Sequence, residues 1–299
     1  MKCTRCKTTA VVALPSHHAG FCAECFLLFF TRQVERGIHS QKLFTHEDRI
    51  LVALSGGKDS LSLAFELKRQ GYDVTGMHVD LGITNSSAMA RGVVEAFCGR
   101  QDIPLIVCDM EAEGLPIPRV KARVKRPICS VCGKIKRHFF NKIALAGNFT
   151  VLATGHNLDD EVARLFSNTL RWDIAYLSDQ GPGLPADQGF ARKVKPFWRL
   201  SEFETANYAF LMGIEHHIAP CPYSGGATFT AYKHLWADLE ESMPGRKLDF
   251  YQGFLKHGRP VFSRAEEDGG AVLAPCQVCG CPTSAEVCGV CRIRRMLEE

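Results

Sequence analysis

No apolar run in this 299-residue chain approaches the roughly 20 residues that a membrane-spanning helix needs. The first residues form a Cys/Lys/Arg cluster without the apolar core of a secretory signal. Charge of one sign is not in excess either. Lys and Arg number 36 against 32 Asp and Glu, and a net charge of +4 does not by itself mark a nucleic-acid binder. Low-complexity segments are absent, and no Walker pattern, GxxxxGK followed by Ser or Thr, occurs. These absences exclude a membrane span and a P-loop NTPase of the Walker type, and the expected compartment is the cytoplasm. Thiols stay reduced there, so the 14 cysteines need a use other than disulfides.

The most specific feature present is Ser55-Gly56-Gly57-Lys58-Asp59-Ser60, directly behind the apolar run from Arg49 to Leu54. Such a run, broken by two glycines and resumed as DSLSLAFELKRQ, reads as strand, tight turn and helix. The new helix starts with free N–H groups and the positive end of its dipole, which suits an anion.

Eight cysteines fall into two double knuckles. Cys3-x2-Cys6 and Cys22-x2-Cys25 are fifteen residues apart, and Cys276-x2-Cys279 and Cys288-x2-Cys291 are eight apart. Four thiolates at this spacing make a closed tetrahedral zinc site, which is structural rather than catalytic. His17, His18 and Cys281 are bystanders on this count, because the paired knuckles already complete each shell. Mid-chain stand Cys129-x2-Cys132 and, far from them, Cys221 in APCPYS. Three thiolates are one short of closed zinc but could hold a 4Fe–4S cluster with one iron left for an exogenous ligand. Redox exchange and a third knuckle use the same CxxC spacing. Cys98 and Cys108 lie in apolar surroundings and read as buried, unreactive thiols.

Between the cysteine-rich ends, apolar runs alternate with helical patterns. Strands are predicted at 49–55, 74–80, 104–109 and 150–155, with a weaker one near 193–197. Helices are predicted around 59–70, 86–101, 133–147 and 158–170, then at 201–213, 229–242 and 247–257. This alternation predicts an α/β fold, a parallel sheet with helices on both faces, and zinc ribbons at both ends. The expected division is a ribbon at 1–30, a catalytic body at 31–265 with a helical C-terminal part, and a second ribbon at 266–299. Gly181-Pro182-Gly183-Leu184-Pro185 is expected to be an exposed loop. Ligands of such sheets sit at the carboxyl ends of the strands. Three of those ends are polar: Ser55-Gly56-Gly57, His78-Val79-Asp80 and Thr154-Gly155-His156-Asn157.

Asn157-Leu-Asp-Asp-Glu161 serves as an N-cap with acidic first-turn residues. At a strand end, Asp160 would also hold Mg²⁺ or manage a proton. Residues 119–137, RVKARVKRPICSVCGKIKR, carry eight Lys/Arg and no acid around the middle CxxC. A basic loop beside a phosphate site suits an RNA backbone.

Taken in order, the terminal knuckles, SGGKDS, MHVDLGI, PICSVCGKIKR, ATGHNLDDEVA, APCPYS and the final knuckles resemble the TtuA-like tRNA 2-thiolation enzymes of the PP-loop ATP pyrophosphatase superfamily almost end to end. The resemblance implies ATP binding across Ala53, Ser55, Gly56, Gly57, Asp59, Ser60, His78, Val79 and Gly155. It implies catalytic roles for Lys58, Asp59, Lys136 and Asp160, with the two lysines neutralising phosphate charge. A uridine 2-oxygen would be adenylated, with ATP split to AMP and diphosphate. Sulfur would then displace AMP at a 4Fe–4S cluster on Cys129, Cys132 and Cys221. ATP, Mg²⁺, that cluster and two Zn²⁺ are the implied cofactors. The implied partners are tRNA, a small ubiquitin-like thiocarboxylate carrier or free sulfide, and a second copy of the chain.

The chain lacks the Lys/Glu enrichment of hyperthermophiles, so the target base stays open between the T-loop and wobble uridines. The competing functions are cytidine 2-thiolation, a non-catalytic RNA-binding or iron–sulfur redox-sensing protein, and a PP-loop ligase delivering nitrogen. The intact polar set counts against the non-catalytic protein, and the lack of a glutaminase segment against the ligase.

Overall fold

The computed structural model describes residues 1–225, 228–266 and 273–298. In chain order the strands and helices begin with β1 (Val12–Leu14), β2 (Ala19–Phe21), α1 (Ala23–Ser40), β3 (Arg49–Leu54), α2 (Lys58–Arg69), β4 (Asp73–Asp80) and α3 (Ser86–Arg100). Next come β5 (Leu105–Asp109), α4 (Ile117–Arg123), α5 (Ile128–Ala146), β6 (Val151–Thr154), α6 (Leu158–Arg171), α7 (Ile174–Ser178), β7 (Gly183–Leu184) and β8 (Lys193–Val194). The remainder is α8 (Glu202–Leu211), α9 (Thr228–Ser242), α10 (Arg246–Gly253), α11 (Arg259–Glu266), β9 (Ala274–Pro275), β10 (Pro282–Thr283) and α12 (Gly289–Glu298).

The central sheet has the order β5-β4-β3-β6-β8-β7 and is parallel except for β7. Alternation along β3 divides the apolar interior between the two faces. Ile50, Val52 and Leu54 join a core with α1, α2, α3, α6 and α8, whereas Leu51 joins a core with α4, α5 and α12. Placing β3 between β4 and β6 brings the three polar strand ends side by side, as the sequence pattern requires.

The N-terminal ribbon runs through the β1–β2 hairpin into α1, an 18-residue helix absent from the sequence-based assignment. Phe26, Phe30, Val34 and Ile38 recur every fourth residue on its buried face, and Phe30 stacks on Tyr208 of α8 at 3.9 Å. The helix crosses the expected domain boundary at residue 30 without a break. The expected boundary at 265–266 abuts residues 267–272, which lie outside the description. At the other end α12 buries Val290, Ile293 and Leu297 against the second core. Arg294 pairs with Glu113 at 2.8 Å, and Arg119 donates to the Leu297 carbonyl.

Two local expectations are corrected. Gly181 and Pro182 are buried, and Gly183–Leu184 pairs antiparallel with β8, so this segment is a sheet edge rather than an exposed loop. The basic run 119–137 is not a loop. It forms the end of α4, a four-residue link and the first half of α5, with Pro127 as N-cap. Proline suits that position, since a helix start leaves its missing N–H unneeded.

Candidate active site

Gly56 adopts φ +84°, and a Cβ there would stand 3.1 Å from the Ala90 carbonyl oxygen. A side chain there would be strained by conformation and crowded against α3. Gly57 caps α2 without a side-chain hydrogen bond, leaving the helix start open to a ligand. The turn is cross-braced through Ser60. Its Oγ accepts from Ser55 N at 3.1 Å, lies 3.1 Å from Ser55 Oγ, and donates to the Gly57 carbonyl at 3.0 Å. Gly155, past the end of β6, abuts the first turn of α2. A Cβ there would come within 2.8 Å of the Asp59 carbonyl and Ser60 N.

Around this turn lies a cavity of about 410 Å³, walled by Ala53, Ser55, Asp59, Ser60, His78, Val79, Lys136, Gly155, Asp160 and Cys221. Most of the residues implied for ATP thus meet in one place. Gly56, Gly57 and Lys58 are not part of the wall. The wall also contains Thr154 and His156 of the polar strand end, together with Ser86, Ser87 and Ala90 of α3, Phe140 and His217, which the sequence pattern does not mark.

His78 is buried, with Nδ1 2.9 Å from the Leu54 carbonyl oxygen. A carbonyl can only accept, so Nδ1 carries the proton and Nε2 is left as an acceptor. That Nε2 and the Nε2 of His217 are buried and have no partner among the described residues. Burial keeps the His78 imidazole below its ordinary 6.5, against the opposing Leu54 hydrogen bond. His156 opens to the cavity and bonds Thr154 Oγ1 at 2.7 Å. Crowding by protein, then the Lys195 charge, also lowers its pKa.

Carboxylates and ammonium groups interlock on the α8–α9 side. Lys58 Nζ lies 3.1 Å from both Asp59 and Glu202, and Lys233 lies 2.6 Å from Asp160 and 3.1 Å from Glu202. Thr205 Oγ1 donates to the second Asp59 oxygen. Burial opposes the charge on Lys233, but Asp160 and Glu202 outweigh it and raise the ammonium above its ordinary range. Lys58, expected beside the phosphates, is turned into this network. Asp160 fills the capping role foreseen for it and stands where its other expected role would place it. It completes a capping box with Asn157, at 3.1 Å in each direction, and it faces the cavity. Lys136 is the wall lysine without an ion pair among the described residues.

Cys132 precedes Lys136 by four residues, one turn of α5, so the two share a helix face. Burial first, then the neighbouring Cys221 and Cys129, raises the Cys132 thiol pKa, and Lys136 opposes them. Cys221 reaches the site because His217 N donates to the Gly56 carbonyl at 2.8 Å, tying its segment to the glycine turn. Cys129 Sγ lies 3.4 Å from the Tyr223 carbonyl, and Lys121 stands over the Tyr223 ring at 4.2 Å. The donor atoms of these three cysteines do not all lie within 4.8 Å of one another, unlike those of the two terminal sets. The donor number and partial exposure of the three, with Cys221 in the cavity wall, fit a three-thiolate cluster.

The terminal sets fit zinc. Donor atoms of Cys3, Cys6, Cys22 and Cys25, and of Cys276, Cys279, Cys288 and Cys291, lie within 4.8 Å of one another. Cys6–Cys22 at 3.5 Å and Cys279–Cys288 at 3.7 Å approach the tetrahedral edge of about 3.8 Å that Zn–S bonds of about 2.3 Å give. His17 is outside the first set and bonds Glu204 at 3.0 Å. Cys98 and Cys108 are buried, and burial pushes each thiol up to about 11.

Residues 2–27 match the family described as 2-thiouridine synthetase TtuA, N-terminal LIM domain, and residues 30–175 match the PP-loop domain family. The tRNA-5-methyluridine(54) 2-sulfurtransferase of Thermus thermophilus is 42% identical over 98% of this chain and 91% of its own length. The enzyme of that name from Pyrococcus horikoshii is 38% identical over 100% of this chain and 95% of its own. Among solved structures, the U34-tRNA thiolase NcsA from Methanococcus maripaludis with its 4Fe-4S cluster is similar with a TM-score of 0.82. It is 26% identical, with 99% of this chain and 96% of that chain covered.

Proposed function

The chain belongs to the TtuA-like tRNA-5-methyluridine(54) 2-sulfurtransferase family, and from that premise we propose that it replaces the 2-oxygen of the T-loop 5-methyluridine with sulfur at the expense of ATP. It is a PP-loop tRNA 2-thiolation enzyme. The observation that carries the residue-level reading is the meeting of the glycine turn, Lys136, Asp160 and Cys221 around one cavity.

In this reading the amides that open α2 hold the ATP phosphates, and Ser55 and Ser60 fix the turn. Polar groups of the adenine edge meet the buried acceptor of His78 beside Val79. Lys136 faces the phosphates and offsets the charge that builds as the uracil 2-oxygen attacks the α-phosphorus and diphosphate leaves. Asp59 and Asp160 supply the hard oxygen donors suited to Mg²⁺, and Lys58 and Lys233 hold them in position. The adenylated base then loses AMP as a carbon–sulfur bond forms at C2. A 4Fe–4S cluster on Cys129, Cys132 and Cys221 would supply an iron free of protein thiolate at which the incoming sulfur is delivered. Exposure of Cys129 and Cys221 leaves room for a thiocarboxylate carrier or for free sulfide. The two four-cysteine sets hold structural zinc.

Nucleoside mass spectrometry of tRNA from a deletion strain tests the reading. Loss of 2-thio-5-methyluridine, restored by the wild-type gene and not by Lys136→Ala, is expected. Loss of the wobble 2-thiouridine instead would transfer the target to the position named for the NcsA structure, and an unchanged profile would overturn the reading.

A further inference from the structure

The C-terminal ribbon holds more ligand chemistry than one tetrahedral ion uses. Cys276, Cys279, Cys288 and Cys291 complete a four-sulfur shell. Cys281 is a fifth thiol on the same knuckle, and its Sγ lies 4.0 Å from Nε2 of His138, in the middle of α5. The donor atoms of His138, Cys279 and Cys281 lie within 4.8 Å of one another.

The local chain explains the convergence. Gly280 adopts φ +71°, and the knuckle closes by hydrogen bonds from Gly280 N to the Cys276 carbonyl and from Cys276 N to the Cys281 carbonyl, both 2.9 Å. α12 packs against α5 in the same core, which sets the ribbon beside His138. The His138 ring is held edge-on to Phe139, with centroids 5.2 Å apart.

We propose that His138, Cys279 and Cys281 form a second metal subsite for a thiophilic divalent cation such as Zn²⁺, with the Cys279 thiolate shared between it and the ion of the four-cysteine shell. The Cys281–His138 separation of 4.0 Å is shorter than the roughly 4.3 Å that one Zn–S and one Zn–N bond span end to end. An ion therefore fits between the two donors after a small closure. Six ligands around two zinc ions, with bridging thiolates, is the chemistry of the Zn₂Cys₆ modules. Here five thiols and one imidazole supply the six. Three protein donors leave the second ion an open position, as in zinc sites that bind an exogenous ligand. His138 and Cys281 line a groove of about 930 Å³ whose wall also carries Lys134, Arg137 and Lys193. Asp179 and Asp187 stand in the same wall, so the groove provides an entry path of mixed charge with water as the simplest exchangeable ligand.

The inference rests on the reading that the four-cysteine sets hold zinc, and one titration separates the two. Zinc alone is added anaerobically to the full-length, cluster-loaded protein, weakly held metal is removed by gel filtration, and retained zinc is counted by elemental mass spectrometry. Wild type is expected to retain about three equivalents, and Cys281→Ser and His138→Gln about two each, with melting temperatures near wild type. The variants lie on different elements, so misfolding of one leaves the other as the test. Fewer than two equivalents in wild type would remove zinc from the terminal sets. Two in wild type would remove the second subsite alone. A third equivalent surviving in both variants would be bound elsewhere and would equally overturn the proposal.

Discussion

Replacing Gly155 with alanine probes the junction on which the cavity depends. An added Cβ would lie 2.8 Å from backbone atoms of Asp59 and Ser60, against an ordinary contact that begins at 3.4 Å. The first turn of α2 must therefore retreat by about 3.4 − 2.8 = 0.6 Å, and because the obstacle is backbone, no side-chain rotation relieves it. Overpacking of this kind costs about 1–3 kcal/mol, which lowers the melting temperature by about 2–12 °C at about 2–4 °C per kcal/mol. A shift of 0.6 Å also exceeds the window of about 2.7–3.2 Å in which amide hydrogen bonds form. Loss of one charge-assisted bond to a phosphate, worth about 1.5–3 kcal/mol, weakens ATP binding about 10- to 150-fold.

Gly92 and Gly99, inside α3, are matched controls, because a Cβ at either meets nothing within 4 Å. Alanine there should stabilise by about 0.4–1 kcal/mol and leave ATP binding alone. Differential scanning fluorimetry and ATP titration of the three variants at equal metal content decide the matter. Wild-type melting and ATP affinity in Gly155→Ala would refute the close-approach argument.

Four further outcomes are expected. His78 contributes stability that is fully present above its ordinary 6.5 and is lost as pH falls through the depressed folded value. His78→Gln should flatten the acid limb of both stability and ATP binding, and superimposable pH profiles would remove His78 from the site. Alanine at Cys129, Cys132 or Cys221 should lower iron content from about four per chain and abolish thiolation, and an iron-free protein with full activity would exclude a cluster in turnover. Replacing Cys3 or Cys276 should lower zinc content and melting temperature together, because a closed zinc site contributes folding energy. A zinc-depleted variant of wild-type stability would contradict that. Neutralising Lys121, Arg123, Lys125 and Arg126 should reduce the log–log salt slope of tRNA binding by about 0.7–0.9 per lost phosphate contact while sparing ATP affinity. An unchanged slope would move the RNA contacts elsewhere.

The strand ends that build the cavity are legible in the sequence because each couples a strong local signal to a break. Arg49–Leu54 is apolar and ends at two glycines, and Val151–Thr154 ends at Gly155 and a capping box. α1 was equally legible in principle, since Phe26, Phe30, Val34 and Ile38 keep helical spacing. Cys22 and Cys25 at its start belong to the cysteine knuckle, so the helix begins inside a segment whose spacing reads as a metal loop. β7 carries no local signal at all. Glycine and proline favour a loop there, and two residues become a strand only because Lys193–Val194 offers an edge. His217 is likewise invisible locally. Its place in the wall follows from one long-range backbone bond to Gly56.

That bond also bears on how two chemistries share a site. Cys221 lies beyond a segment fastened to the glycine turn, whereas Cys132 and Lys136 are one turn apart on α5. Movement of the glycine turn is thus transmitted to one cysteine, and movement of α5 carries another cysteine together with the wall lysine. On the proposed reading, the glycine turn is linked to Cys221 through its own segment, and Cys132 to Lys136 through α5. If the turn holds the phosphates and the cysteines receive the sulfur as proposed, the two placements would be coupled, and part of the cost of bringing two reactants together would fall on folding rather than on each turnover.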